Sequence, residues 1–169
     1  MKKFKLWIVF GLLIAGLVAC QQAEGTDNDT NGSNYQPEAI NPDVDVCEVC
    51  AMAVADDQHA TQIILKNERA LKFDDLGCLF AWLEENGEDD VGAKFVRDFN
   101  TQEWILLEEA TFVFDEHIET PMAYGVISFK NKEDAEAYID EHGIGEILTA
   151  DDLDDHKWEM MKHEHNHHS

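Results

Sequence analysis

The chain of 169 residues carries 36 Asp and Glu against 12 Lys and Arg, a formal net charge of −24 at pH 7. An excess of this size excludes nucleic-acid binding through phosphate neutralisation. It also repels anionic lipid, so any hold on a membrane has to come from apolar chains.

At the start, Lys2, Lys3 and Lys5 precede an apolar run from Leu6 to Val18. This charged-then-apolar layout is that of a secretory signal rather than a spanning helix. The run ends in Leu17-Val18-Ala19-Cys20, which looks like the lipobox of bacterial lipoproteins. On that reading residues 1–19 are removed and Cys20 is acylated, each buried methylene adding roughly 0.8 kcal/mol of membrane affinity. A cleaved signal with an incidental Cys20 is the plainer alternative. Residues 20–44 are rich in Asp, Asn, Gly and Thr and poor in large apolar side chains, so they are expected to form a flexible acidic tether.

The remainder, from about Asp45 to Leu153, is long enough for one compact domain or two very small ones sharing an interface. Asp75 to Gly87 and Asn131 to Gly143 share a plan of capping side chain, helical stripe and terminating glycine, at an offset of 56. The same offset matches Leu71 to Ile127, Phe73 to Phe129, Trp82 to Tyr138 and Leu83 to Ile139. The first helix places Leu76, Leu79, Phe80 and Leu83 on one face; Ala135, Tyr138 and Ile139 make a narrower stripe on the second. Strands are expected at Thr61–Lys66, Ala70–Asp74 and Lys94–Phe99 in the first unit. In the second they are expected at Ala110–Phe114, Ala123–Phe129 and Gly145–Leu148, with Trp104–Leu107 a further strand or the connection between units. The fold class is α+β, two repeated ββαβ units over 45–101 and 102–155 followed by a His/Met-rich tail over 156–169. The second hairpin is opened by Asp115 to Met122, and extra loop in one copy of a repeat is often where function was added.

Chemistry concentrates in Cys47-Glu48-Val49-Cys50-Ala51-Met52, placed before the first strand. Two cysteines three apart can turn both sulfurs toward one ion, and alternation in an extended segment would put Cys50 and Met52 on the same side. Zinc favours thiolate, imidazole or carboxylate; adding a neutral, soft thioether shifts the expectation toward Cu(I). A disulfide between Cys47 and Cys50 with Met52 as core filler is an alternative. So is a thiol–disulfide exchange site facing Thr120-Pro121, although a thioredoxin-type dithiol caps a helix after a strand and this one follows a linker. Cys78, in the first turn of the first helix, is a ligand or third redox group if not simply buried. His59 and His117 lie in polar loops and could supply an imidazole. The tail places five histidines and two methionines between His156 and His168, a pattern suited to collecting metal without a fold, or an uninvolved polar tail.

Together the lipobox, Cys47-Glu-Val-Cys50-Ala-Met52, Phe73-Asp-Asp-Leu-Gly-Cys78, Phe95-Val-Arg-Asp-Phe99, Thr120-Pro-Met122 and Gly125-Val-Ile-Ser-Phe129 resemble the NosL lipoproteins, accessory factors of nitrous oxide reductase. The resemblance implies a membrane-anchored, extracytoplasmic Cu(I) chaperone rather than an enzyme, built from two ββαβ units. Cys50 and Met52 match the family's Cys-x-Met and Met122 the methionine of its late loop, so these three are the first expected ligands. Cys47 matches a more variable first cysteine, and Cys78 one seen in part of the family. Ala123 stands where glycine commonly follows the late methionine, and the His-rich tail is additional. Implied partners are nitrous oxide reductase or another cuproenzyme, an ABC-type transporter or its periplasmic subunit, the membrane through the lipid anchor, and a second copy in a homodimer. A thiol–disulfide oxidoreductase using Cys47 and Cys50 and a general envelope metal buffer are the competing readings.

Overall fold

The computed structural model describes residues 34–160. The leader, Cys20 and the histidines beyond His156 lie outside them. The first unit runs β1 (Thr61–Leu65), β2 (Ala70–Phe73), α1 (Leu76–Asn86), β3 (Val91–Arg97). The second runs β5 (Thr111–Phe114), β6 (Val126–Phe129), α2 (Lys132–His142), β7 (Glu146–Leu148). Between them lie β4 (Trp104–Leu106) and a 3₁₀ turn at Leu107–Glu109, and α3 (Ala150–Asp154) follows. Both sheets are antiparallel and place the first strand of the unit in the middle: β2-β1-β3-β4 and β6-β5-β7. The expected duplication therefore extends to strand order, and Trp104–Leu106 joins the first sheet, pairing Val96 with Ile105.

The helices begin and end as their side chains dictate. Asp75 accepts from the Gly77 amide and Asn131 from the Asp134 amide; Gly87 and Gly143, both at positive φ, close the last turns. α1 buries Leu76, Gly77, Cys78, Leu79, Phe80 and Leu83, whereas α2 buries only Ala135, in keeping with its narrower stripe. Alternation along the central strands divides the core. Ile63 and Phe112 enter one cluster shared by both units; Ile64 faces a small outer cluster, and Val113 one beneath α2. The seam between the sheets is polar: the Phe99 amide donates to Ser128 O at 2.8 Å. Asp98, 1% exposed, accepts from the amides of Thr101 at 2.9 Å and Lys130 at 2.8 Å.

Several expected boundaries move for local reasons. β6 starts at Val126 rather than Ala123 because Ala123 and Gly125 both take positive φ. At Gly125 a Cβ would lie 2.4 Å from Asp115 O, so only glycine fits there. β3 starts at Val91 rather than Lys94, since Val91 still pairs with Leu65 across a register shift. The expected tether is held from Tyr35 onward. Gln62, fully buried in β1, accepts from the Glu38 amide at 2.9 Å and donates to Glu38 O at 2.6 Å. Ile40 joins the main core and Tyr35 lies against Gly92. A buried Gln with both amide groups satisfied by backbone is a sequence-remote anchor that composition does not reveal. The first residues of the expected tail are likewise packed: Trp158 stacks on Phe80 at 4.5 Å and its indole donates to Leu153 O at 3.2 Å.

Candidate metal centre

The segment from Val46 to Ala53 is a tight loop closed by a single bridge between those two residues. The Cys47 amide donates to Met52 O at 2.8 Å and the Ala51 amide to Cys47 O at 3.0 Å, with Ala51 at φ 60. The loop is not extended, so alternation does not relate Cys50 to Met52. Instead Cys47 and Met52 flank the Val46–Ala53 bridge on the two arms of the loop, Cys47 2% and Met52 52% exposed. The Glu48 amide donates to Lys72 O at 3.1 Å, fastening the loop to β2.

That fastening sets the loop beside the corner where β2 ends and α1 begins. Asp74, 5% exposed, is the first residue after the strand; Asp75 caps the helix and Cys78 occupies its first turn. One donor atom from each of Cys47, Cys50, Asp74 and Cys78 lies within 4.8 Å of the others. The thiol of Cys50 points at both carboxylate oxygens of Asp74, 3.3 Å from each. Cys47 and Cys78 are buried, Cys50 is partly exposed, and all three are free thiols.

The proton arrangement follows from the hydrogen bonds. Cys78 donates to the sulfur of Cys47, which also accepts from the backbone of Cys50, Asp74 and Val49, and together these bring the Cys47 thiol down to about 6 against the cost of burial. Burial pushes the Cys50 thiol up to about 12, despite an amide donated by Met52, and its contacts with Cys47 and Asp74 act in the same direction. Cys78 is raised because it is the donor to the Cys47 sulfur, so the helix dipole does not prevail there. The hydrogen bonds thus favour the thiolate form at Cys47 over Cys50 and Cys78.

The second unit closes this corner. Asp75, 1% exposed, gives Oδ1 to the Gly77 amide at 3.0 Å and Oδ2 to the Met122 amide at 2.8 Å, and it also accepts from Thr120. Thr120 Oγ1 in turn accepts from the amides of Tyr124 and Gly125 at 3.1 and 3.3 Å. The Tyr124 ring fills the space a Cβ on Gly77 would need, as close as 2.1 Å. The late hairpin loop is therefore pinned to the start of α1, with Met122 partly buried against the main core.

Of the residues expected as ligands, the structure brings together Cys47, Cys50 and Cys78. Met52 is 52% exposed on the loop, and Met122 reaches the corner through its backbone. His117 is exposed and bonded to Asp115 at 2.8 Å; His59 lies between Gln58 and Phe99. No histidine belongs to the four-residue donor cluster. Sequence reasoning missed Asp74. Its signal was the doubled acid in Phe73-Asp-Asp-Leu-Gly-Cys78, of which only one carboxylate is needed as a cap. Three thiols and a carboxylate offer a predominantly soft donor set, suited to Cu(I) or to zinc.

Fold and site together define a duplicated ββαβ protein with a sulfur-rich candidate metal centre at the corner of its first unit. The family model NosL matches residues 37–158, and the chain belongs to the NosL family. Its fold is similar to that of the crystal structure of the copper chaperone NosL from Shewanella denitrificans, with a TM-score of 0.62 and 24% identity over 69% of this chain and 94% of that one. None of the curated proteins matches the chain.

Proposed function

We propose that this protein binds Cu(I) as cargo and delivers it to a cuproenzyme by ligand exchange. The observation that carries the reading is the convergence of Cys47, Cys50, Cys78 and Asp74 within 4.8 Å at a corner to which the Met122 loop is pinned. Cys50, the partly exposed thiol, is the outermost of the three sulfurs. Met52, on the same loop as Cys47, and Met122 are the thioethers that would complete a cuprous site. Cu(I) accepts two or three soft ligands, so it passes from donor to acceptor by exchanging one sulfur at a time, with no covalent step in the protein. Binding releases the protons held on whichever of Cys50 and Cys78 ligate. A copper chaperone among similar structures supports this reading, and resemblance to the NosL lipoproteins suggests nitrous oxide reductase as the recipient, with an ABC-type transporter or its periplasmic subunit as a further partner. The lipobox supports anchoring through acylated Cys20 on the extracytoplasmic face of the cell membrane.

The test is an anaerobic Cu(I) titration of the reduced chain against a competing chelator, for residues 21–169 and 21–160. One tightly held ion per chain or per dimer in both forms supports delivery from the folded centre. Binding that disappears with residues 161–169 places the metal on the tail and refutes the reading.

A further inference from the structure

Five large apolar side chains are strongly exposed among the described residues: Val44, Val46, Val49, Met52 and Met160. Four of the five fall within nine consecutive residues, at 69%, 57%, 43% and 52% exposure, on and beside the loop that carries Cys47 and Cys50. Single exposed apolar residues are ordinary, but a cluster at a functional loop marks a surface that is covered in use. Val44 and Val46 lie two apart along the chain, Val49 sits at the tip of the turn, and Met52 lies on the returning arm, its carbonyl accepting from the Cys47 amide. The apolar groups thus lie on and beside the loop that carries Cys50.

The charge around them is acidic in excess, six carboxylates against the three cations that reach them, Arg69, Lys72 and Arg97. Between Asn34 and Leu65 the chain holds Glu38, Asp43, Asp45, Glu48, Asp56 and Asp57, with neither lysine nor arginine. Glu48 is paired to Arg69, Asp45 and Glu38 to Lys72, and Asp56 to Arg97, yet the side chains of Glu48, Glu38 and Asp56 remain 36%, 56% and 54% exposed in those pairs, as does that of Arg69 at 61%. An apolar centre within an acidic rim has the anatomy of a protein interface. A second copy would bring acid against acid on chains of net charge −24, and an anionic bilayer would be repelled in the same way.

We infer that the loop 44–52 is a docking face for a partner protein whose surface is apolar at its centre and ringed by Lys and Arg. The inference rests on the proposed copper delivery, since the face surrounds the most exposed thiol of the centre. Docking there would exclude water from Cys50 and bring an acceptor's ligands into exchange distance, while opposite charge steers the encounter.

The test uses the full chain in its native cells, with Val49 replaced by the photo-crosslinker p-benzoylphenylalanine and, as a control, Glu136 on the exposed side of α2 replaced in the same way. Cross-linked peptides are identified by mass spectrometry, and washed membranes are irradiated at about 0.05 and about 0.5 M NaCl. The expected result is a cross-link from position 49, and none from 136, to an identified protein at a segment flanked by Lys or Arg. Its yield should fall at least about threefold at the higher salt and by a similar factor when Val46→Glu is added. Cross-linking only to a second copy or to lipid, equal yield from 136, indifference to salt, or no cross-link overturns the inference. Cu(I) affinity of the Val46→Glu chain is measured alongside. Wild-type affinity with no specific cross-link defeats the docking face alone, whereas loss of Cu(I) binding by the unmodified chain defeats the functional reading beneath it.

Discussion

Asp75 is the residue through which the two units meet at the metal centre, and its removal gives the sharpest test of how that corner is held. Its side chain is almost wholly buried and accepts from the Gly77 amide, the Met122 amide and Thr120. Asp75→Ala loses a helix N-cap, worth about 1 kcal/mol. It also strands the Met122 amide in the interior, at about 1–3 kcal/mol, so the fold should lose about 2–4 kcal/mol in all. With a urea slope of about 1.5 kcal/mol per M, the midpoint of the reduced, metal-free protein should fall by about 1.3–2.7 M. Asp75→Asn keeps one acceptor oxygen and should lose less than half as much. Burial raises the carboxyl of Asp75 above its ordinary 3.8, and Asp74 adds to this, so its ionised form costs folding energy. Lowering the pH from the folded value toward 3.8 therefore stabilises the wild type relative to Asp75→Asn, and the gap between their midpoints should widen in that direction. A midpoint shift for Asp75→Ala below about 0.3 M would show that water replaces these bonds freely, and the account of Asp75 as the tie between units would fall.

Four further outcomes follow from the same geometry. The reduced apo protein should show about one thiolate by absorbance at 240 nm at pH 8, titrating near 6 and absent in Cys47→Ser. Because that thiol is depressed from 9.0, its contribution to stability is complete above 9.0 and is lost as pH falls through about 6, so the pH slope of unfolding in this window should flatten in Cys47→Ser. Trp158→Ala, or a chain ending at Asp155, should lose about 2 kcal/mol in thermal or urea unfolding, because Phe80 loses its stacking partner. Asp115→Asn should bring His117, now raised by its bond to Asp115, back toward 6.5 in a histidine NMR titration, with Asp115 also losing its hold on the Gly145 amide at 3.1 Å. Gly77→Ala should displace the Tyr124 ring, which occupies the space of the new Cβ, and show as a change in near-ultraviolet circular dichroism.

Most of the fold was legible because it rests on local signals repeated twice. Capping side chains and terminal glycines bounded both helices, and short β-prone runs marked the central strands; α1 and α2 occupy the same eleven positions at the offset of 56. The positions of Gly125 and Ala123 were less legible, since positive φ in an apolar run leaves no trace in hydropathy. The packing of residues 35–45 was hidden for a different reason: it depends on Gln62 and on Lys72, whose ammonium bonds Asp45 at 2.9 Å and Ala39 O at 3.1 Å, partners far away in sequence. In the centre, the cysteine spacing announced Cys47 and Cys50. Asp74 was obscured by Asp75, because one capping carboxylate already explained an acid at that place.

The repeat also shows why, among the described residues, the corner of the first unit carries this chemistry and that of the second does not. At the offset of 56, the positions of Asp74, Asp75 and Cys78 are taken in the second unit by Lys130, Asn131 and Asp134. Asn131 still caps its helix, accepting from the Asp134 amide at 3.0 Å, but a cation stands where the first unit has its carboxylate, and its amide is committed to Asp98 at 2.8 Å. The sequence has no cysteine after Cys78, so the second unit supplies no thiol there. The scaffold alone is therefore insufficient for the site. What distinguishes the first corner is added from outside the repeat: a cysteine loop before β1, fastened to β2 through Glu48, and a lengthened hairpin from the second unit, fastened through Asp75. Each addition is tied by hydrogen bonds to a rigid strand end or helix start. The donor atoms are thus set by the scaffold, while Val46 and Val49 stay exposed beside them.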